Sequence, residues 1–222
     1  MAELISTLEP ATVRAALARV REQIAAAGRD PRQVEILAAV KYLPAALLPA
    51  LREGGVRLVG ENTAQQLAAK QDAHPGLFTW DFIGNLQSRK VRLIVPRVRY
   101  IHSVCTDSAL AQLERHAQPS TRVLVEVNVA GEPGKGGVAP EQLERFVARC
   151  PVPVIGLMTM PPQTEQPERS RPYFAALREL AATLGLKQLS MGTSQDYRVA
   201  VEEGATILRL GTILYHPPPA GR

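Results

Sequence analysis

The sequence predicts an α/β protein that folds as a single closed (β/α)8 barrel of the TIM type. Eight short apolar runs of strand composition alternate with stretches of helical length and periodicity. Strands separated by helices imply parallel βα units, and their number and regularity favour a closed barrel over an open doubly wound sheet. No Gly-x-Gly-x-x-Gly motif follows the first strand, which weakens the dinucleotide-binding alternative.

The elements follow one another in a regular order. An amphipathic helix over residues 8–28 opens the chain, and Gly28 followed by Arg29-Asp30-Pro31 ends it. The predicted strands lie at 34–40, 56–60, 79–84, 99–104, 122–129, 153–160, 188–193 and 206–211. The helices between them are predicted near 44–54, 63–73, 86–95, 107–118, 139–149, 167–184 and 195–203. We expect one domain over 1–215, and a flexible tail over the proline-rich segment 216–222.

Composition excludes several classes of function. The net charge is +5, but the basic residues are dispersed and only 5% of residues are aromatic, so we expect no nucleic-acid partner. No apolar stretch could span a bilayer, and the N-terminus lacks the pattern of a signal peptide, which predicts a cytoplasmic protein without a membrane partner. Cys105 and Cys150 do not suggest a disulfide framework, and no Cys/His cluster has zinc-ligand spacing, so no metal is expected.

Polar and glycine residues gather at the predicted C-terminal end of every strand, where such barrels carry their chemistry. In strand order they are Lys41; Gly60-Glu61-Asn62; Gly84-Asn85; His102-Ser103; Asn128; Met158-Thr159-Met160; Gly192-Thr193-Ser194; and Arg209-Leu210-Gly211-Thr212. Each could be an ordinary turn residue by itself. Their joint occurrence predicts a site at this rim.

Lys41 follows the continuous apolar run 36–40, which is typical of a buried parallel strand. Burial lowers the pKa of a lysine and makes its amine nucleophilic, as a Schiff base with a carbonyl ligand requires. Position alone favours a simpler interpretation, in which the lysine has reached the surface at the end of the strand. The residues elsewhere on the rim reverse that preference.

Two further features indicate what the rim binds. Segment 190–196 has the glycine and hydroxyl composition of a phosphate site before a helix that starts near Gln195, although Ser194 could merely cap that helix. Gly211 and Thr212 would lie beside this segment. Arg209 is predicted to point inward, where it needs either a carboxylate partner or the ring nitrogen of a heteroaromatic ligand. A Schiff-base lysine, a phosphate site and this arginine together describe pyridoxal 5′-phosphate (PLP).

From about residue 10 to residue 215 the chain resembles the pyridoxal phosphate homeostasis protein family. The matching motifs are Ala-Val-Lys41, Gly60-Glu61-Asn62-x-x-Gln65, Phe82-Ile83-Gly84-x-Leu86-Gln87-x-x-Lys90, Ile101-His102-Ser103-Val104, Asn128-Val129-x-Gly131-Glu132-x-x-Lys135-x-Gly137, Gly156-Leu157-Met158-Thr159-Met160, Ser190-Met191-Gly192-x-Ser194-x-Asp196 and Arg209-x-Gly211. The family is similar in fold to the barrel domain of fold-type III PLP enzymes such as alanine racemase.

The resemblance implies a role for each of seven residues. Lys41 would carry the Schiff base, Ser194 with the backbone at Gly211 and Thr212 would hold the phosphate, and Arg209 would face the pyridine nitrogen. Asn62 and Met160 would lie near the cofactor. The chain departs from the usual family sequence at Arg89, at Cys105 and over 213–216, where His216 is not expected to be a ligand. None of these departures removes a residue assigned to the cofactor.

Three functions fit such a barrel. The resemblance favours a monomeric PLP carrier and buffer without robust turnover, with PLP-requiring apo-enzymes as partners and with no catalytic residue assigned. A fold-type III racemase or decarboxylase would need a second acid/base and usually a second domain, for which about ten residues after the last strand leave no room. A class I aldolase would leave Arg209 without an evident role.

Overall fold

The computed structural model describes residues 5–216, and its strands form the predicted closed barrel. The strands are β1 Glu35–Ala39, β2 Leu58–Glu61, β3 Thr79–Phe82, β4 Tyr100–Val104, β5 Arg122–Glu126, β6 Val154–Met158, β7 Gln188–Ser190 and β8 Ile207–Leu210. All neighbouring strands pair in parallel and in sequence order, and β8 pairs with β1 to close the cylinder. The fold class predicted from the sequence is confirmed.

Helices surround the barrel. Over residues 5–216 they are α1 Pro10–Ala26, α2 Leu48–Glu53, α3 Ala64–Ala73, α4 Val91–Ile94, α5 Asp107–His116, α6 Leu143–Ala148, α7 Arg171–Thr183, α8 Tyr197–Glu202 and α9 Thr212–Tyr215. Short 3₁₀ turns lead directly into α2, α4, α6 and α7, so those predicted helices begin less regularly than expected. The periodicity does not predict α9, because four residues are too few to show a helical repeat.

The predicted strands overrun the observed ones, mostly at their C-terminal ends. β1 ends at Ala39 instead of residue 40, and β7 ends at Ser190 instead of residue 193. The residues just beyond remain buried, since Val40 and Met191 are both 0% exposed. Val40 N–H still donates to the Gly60 carbonyl and Met191 N–H to the Ile207 carbonyl. Apolar composition therefore follows the backbone pairing beyond the assigned strand and does not mark where the strand ends.

The barrel interior changes character along its axis. Leu37, Leu58 and Ile207 form an apolar cluster inside it, separate from the larger core between strands and helices. Toward the C-terminal ends of the strands the interior becomes polar, with Ser190 and Arg209 both buried. Polar groups are not confined to this end, because Asp81 and His102 are also 0% exposed. The barrel interior therefore combines a small apolar cluster with buried polar side chains.

Some expectations concern parts of the chain outside the barrel. Residues 217–222 of the predicted tail lie outside the described residues, and the domain limits of 1–215 remain a prediction. Between residues 5 and 216 no helix has the length and apolar character needed to cross a membrane. Cys105 and Cys150 are both free and half-buried.

Candidate functional site

A cavity of about 570 Å³ opens at the C-terminal rim of the barrel. All seven residues predicted for the site line it: Lys41, Asn62, Met160, Ser194, Arg209, Gly211 and Thr212. They come from the ends of β1, β2, β6, β7 and β8, which only the closure of the barrel brings together. The cavity has the size of an ordinary small-molecule site.

Lys41 lies two residues beyond the end of β1, and its side chain is exposed at the cavity rim. Its Nζ lies 4.7 Å from the centroid of the Tyr42 ring, within the range of a cation–π contact. The desolvation expected of a lysine that ends a buried strand is therefore wrong for this structure. An exposed amine on a flexible stem can instead reach a ligand from the rim.

Arg209 lies deeper in the cavity, on the neighbouring strand β8 where it pairs with Leu37 of β1, and it is only 6% exposed. It donates from Nη1 to the Ser190 hydroxyl at 2.6 Å, and from Nη2 to the Thr159 carbonyl at 2.8 Å. The Sδ of Met160 lies 2.9 Å from Nη2. No carboxylate of residues 5–216 forms an ion pair with it, so the carboxylate partner considered from the sequence is wrong. Burial lowers the pKa of Arg209 to about 10, so the guanidinium remains a cationic donor at neutral pH.

A chain of polar groups, buried as far as Asp81, continues from Arg209 through the barrel. Ser190 Oγ lies 2.9 Å from His102 Nδ1, and His102 Nε2 lies 3.1 Å from Asp81 Oδ2. Arg99 then bonds both Asp81 oxygens, at 3.0 and 2.7 Å, and reaches Glu35 at 2.6 Å. The chain therefore links the site arginine to the start of β1.

The protonation states in this chain follow from burial and from donor counting. Burial lowers the pKa of His102 below its ordinary value. Burial would raise the pKa of Asp81, but hydrogen bonds from His102 and Arg99 outweigh it and leave that pKa lowered. A neutral His102 then donates from Nε2 to the Asp81 carboxylate and accepts the Ser190 proton at Nδ1. Ser190 Oγ is thereby left to accept from Arg209, which fixes the guanidinium.

The predicted phosphate segment has a different internal structure from the one expected. α8 begins at Tyr197 with Asp196 as its N-cap, so the interpretation of Ser194 as the helix cap is wrong. Ser194 Oγ instead accepts from the backbone N–H of Gly211 at 3.2 Å and of Ile213 at 3.4 Å. It joins the end of β8 to the segment after β7, and its own hydroxyl proton remains available to donate.

Three observations show room and hydrogen-bonding capacity for an anionic, polar ligand. Asn62 Oδ1 is buried and has no hydrogen-bond partner among the described residues. A Cβ built on Gly211 would meet nothing nearer than the Ala39 oxygen at 3.8 Å, so no protein contact requires glycine there. The N–H groups of Ser194 and Gln195 also make no hydrogen bond within residues 5–216. Asn62, Ser194, Gln195 and Gly211 all line the cavity, so these unpartnered groups and this space lie around it.

Sequence reasoning did not assign Tyr215, which also lines the cavity. Its hydroxyl donates to the Ala39 carbonyl at 3.1 Å, and burial raises its pKa, helped by the nearby Glu61 carboxylate. The departure from the family sequence over 213–216 is the sequence feature that could have pointed to Tyr215. His216, which was not expected to be a ligand, is exposed but also borders the cavity.

Curated proteins similar to this chain share one name. No family model matches the chain. The pyridoxal phosphate homeostasis protein of Aquifex aeolicus is 40% identical over 213 residues, which covers 90% of this chain and 93% of that protein. The protein of the same name from Pseudomonas aeruginosa is 40% identical over 208 residues, covering 89% and 90%.

Solved structures extend the comparison. The structure of PipY from Synechococcus elongatus with PLP bound is 32% identical, has a TM-score of 0.79, and covers 91% of this chain and 99% of that one. Alanine racemase from Corynebacterium glutamicum is 14% identical, with a TM-score of 0.74 over 100% of this chain and 65% of the racemase. At that identity the racemase shows the shared fold alone.

Proposed function

The chain belongs to the pyridoxal phosphate homeostasis protein family, and from that membership we propose that its rim cavity binds PLP for intracellular PLP homeostasis. The observation that carries the proposal is the convergence of an amine, a buried guanidinium and a hydroxyl- and glycine-rich segment on one cavity. PLP supplies an aldehyde that forms a Schiff base with an amine, together with a phosphate and a pyridine nitrogen. These three groups match the three parts of the cavity wall.

Each side chain has a role that its surroundings support. Lys41 is the exposed amine that would form the Schiff base. Ser194, with its hydroxyl proton unassigned, would donate to the phosphate beside the backbone of Gly211 and Thr212. Arg209 would donate to the pyridine nitrogen, and Asn62 would use its unpartnered oxygen to accept a hydrogen bond from the ligand.

We propose a carrier and buffer without robust turnover. Arg209 keeps its proton at neutral pH, so it donates a hydrogen bond to the ring nitrogen without protonating it. An unprotonated ring withdraws electrons poorly and supports racemase or decarboxylase chemistry weakly. The Tyr215 hydroxyl donates a hydrogen bond and its pKa is raised, so it stays protonated at neutral pH and is not available as a base. Sustained racemisation of an amino acid above roughly 1 s⁻¹, the low end of ordinary turnover, would overturn this part of the proposal.

Borohydride reduction tests cofactor binding and its position together. The purified protein is mixed with PLP, its visible absorbance is recorded, and the reduced protein is digested for peptide mass analysis. We expect a visible band and a phosphopyridoxyl group on the peptide that contains Lys41. A label found mainly on Lys90 or Lys135 would defeat the assignment, and the absence of any band would defeat the proposed function.

The proposal extends to a cytoplasmic monomer that passes PLP to PLP-requiring apo-enzymes. Sedimentation equilibrium would measure the mass, and a dimer would contradict the monomer. Transfer is tested by placing the loaded protein and an apo-enzyme either in one solution or on opposite sides of a dialysis membrane. Activation that is faster in the mixed solution indicates direct contact. Equal rates after correction for diffusion indicate release of free PLP.

A further inference from the structure

A buried ion pair lies behind the lysine side of the cavity. Lys70 on α3 is 2% exposed and Glu61 at the end of β2 is 1% exposed. Their Nζ and Oε2 atoms are 2.6 Å apart. Removing two charges from water is costly, and such a pair often contributes little net stability compared with apolar residues. Net stabilisation of the fold is therefore not a sufficient reason for this buried pair.

Both members of the pair also hold the backbone of predicted site residues. Lys70 Nζ donates to the Val40 carbonyl at 2.6 Å, and this carbonyl belongs to the peptide group immediately before Lys41. Glu61 Oε1 accepts from the backbone N–H of Asn62 at 2.6 Å. One ion pair thus connects two cavity residues that lie on different βα connections.

Other hydrogen bonds fix the same stretch of backbone. The N–H of Val40 donates to the Gly60 carbonyl at 3.0 Å, and the Tyr215 hydroxyl donates to the Ala39 carbonyl at 3.1 Å. Leu43 N–H shares the Val40 carbonyl at 3.0 Å. The backbone that leads to Lys41 is therefore held on both sides, while the Lys41 side chain remains exposed.

We propose that Lys70 and Glu61 are positioning residues that set the separation between Lys41 and Asn62. This inference rests on the proposed function, because it concerns the same cavity. The hydrogen bonds from the pair to the predicted site residues are all to backbone groups, and its two charges offset one another. It can therefore fix the geometry without adding net charge beside the ligand. Displacements of about 1 Å at such a site cost on the order of 100-fold in reactivity.

The test compares the double variant Glu61→Gln/Lys70→Met with two controls on α3. The double variant removes both charges and the Lys70 contact to Val40 without leaving one charge buried alone. Leu67→Ala removes a side chain that is 0% exposed from the same helix, and serves as a control for lost stability. Asp72→Asn removes the partner of Arg97 in an exposed ion pair, at 2.9 Å, and serves as a control for a lost ion pair.

Two quantities are measured: PLP affinity by absorbance titration, and amide hydrogen exchange in the protein without PLP. We expect the double variant to bind PLP about 10-fold or more weakly, and to exchange faster at Val40, Lys41 and Asn62. Leu67→Ala should lose stability while keeping wild-type affinity, and Asp72→Asn should change neither. If that double variant does not fold, Glu61→Gln/Lys70→Gln, which also leaves no charge buried alone and keeps polar side chains at both positions, is measured in the same way and is also expected to bind PLP more weakly.

Different results separate the inference from the proposed function. Wild-type protein that binds no PLP defeats the proposed function itself. Wild-type affinity in whichever folded double variant is measured defeats the positioning role and leaves a structural ion pair. An equal loss of affinity in Leu67→Ala also defeats it, because affinity would then follow stability alone.

Discussion

The two sides of the cavity hold their principal cations in opposite ways. On the lysine side, the Lys41 backbone is fixed by surrounding hydrogen bonds, but its side chain is exposed and rests against Tyr42. On the arginine side, Arg209 is buried, and its guanidinium is held by Ser190 and Thr159. One side presents a movable amine on a fixed backbone, and the other presents a fixed cation inside the barrel.

This difference separates two requirements of a reversible covalent carrier. A nucleophile must reach a ligand and later release it, which a free side chain allows. A recognition group must stay in one place, which the buried chain from Arg209 to Asp81 ensures. Substitution of the exposed Lys41 side chain should therefore affect covalent attachment and leave stability unchanged. Substitutions on the arginine side should affect both.

The largest effect is expected for Lys41→Ala. Loss of the amine should reduce borohydride trapping of PLP to background, a decrease of roughly 100-fold or more by analogy with the loss of a covalent nucleophile. Because the side chain is exposed, the free energy of unfolding should change by less than about 0.5 kcal/mol. Trapping is measured by mass spectrometry and stability by urea unfolding. Lys135→Ala, in the glycine-rich connection after β5, is the control that should trap normally.

We expect the second largest effect from Arg209→Met, on the arginine side of the cavity. The change leaves the Thr159 carbonyl and the Ser190 hydroxyl without their donor, at about 1–3 kcal/mol for each unsatisfied buried group. Both the unfolding free energy and the PLP affinity should therefore fall. Urea unfolding without PLP and absorbance titration with PLP provide the two measurements. Lost affinity with unchanged stability would show that the contrast between the two sides is wrong.

Ser194→Ala should have an intermediate effect. Loss of one hydrogen bond to a charged phosphate costs about 1.5–3 kcal/mol, or on the order of 10- to 100-fold in affinity. The substitution also removes the acceptor for the N–H groups of Gly211 and Ile213. Trapping on Lys41 at saturating PLP should persist. Unchanged affinity in a folded variant would restrict Ser194 to joining β8 with the segment after β7.

The sequence predicts the barrel well because each βα unit carries its own local signal. The rim residues are predictable for the same reason, since each stands directly after an apolar run that can be recognised. Lys41 and Arg209 also belong to family motifs, so their convergence on one cavity follows once the barrel closes. The local sequence pattern does not indicate how deeply each side chain is buried. The sequence therefore predicts a desolvated Lys41 that is in fact exposed.

The buried polar groups behind the site are not predictable from the sequence in the same way. Lys70 lies on a helix rich in polar residues and resembles a solvent-facing lysine, although it is 2% exposed. Its partners Glu61 and Val40 are on other elements, so no spacing rule connects them. Asp81 offered a signal, because a charged residue between Trp80 and Phe82 in a buried strand needs a partner. The identity of that partner depends on the three-dimensional fold.

The pH dependence of stability sharpens the comparison, because the arginine side contains the buried His102. Its pKa is lowered in the folded protein from an ordinary value of 6.5. Below pH 6.5 the unfolded chain binds a proton that the folded protein does not, so stability should fall as the pH decreases. The slope is limited to about 1.4 kcal/mol per pH unit for one proton.

Urea unfolding between pH 7.5 and about 5 tests this dependence. His102→Gln should be less stable at neutral pH, yet its stability should vary less with pH. His116→Gln provides the control, since His116 is exposed at the end of α5. A wild-type slope in His102→Gln would assign the pH dependence to other groups. It would also remove the argument that a neutral His102 orients Ser190.

The smallest effect is expected at Gly211, where the two sides of the cavity meet. A Cβ at this position would approach the Ala39 oxygen at 3.8 Å and the Ala39 Cβ at 3.9 Å, which are ordinary contacts. The free energy of unfolding of Gly211→Ala should therefore change by less than about 0.5 kcal/mol. The added methyl group should fill space beside the phosphate and weaken PLP binding by roughly 2- to 5-fold. Gly192 supplies the contrast on the neighbouring segment: its φ is +90°, and a Cβ there would lie 2.6 Å from the Ala200 Cβ. Gly192→Ala should lose about 1 kcal/mol or more of stability from backbone strain and overlap. If Gly211→Ala binds PLP as tightly as wild type, the phosphate does not lie against Gly211, and the glycine has no function that the fold or the proposed ligand explains.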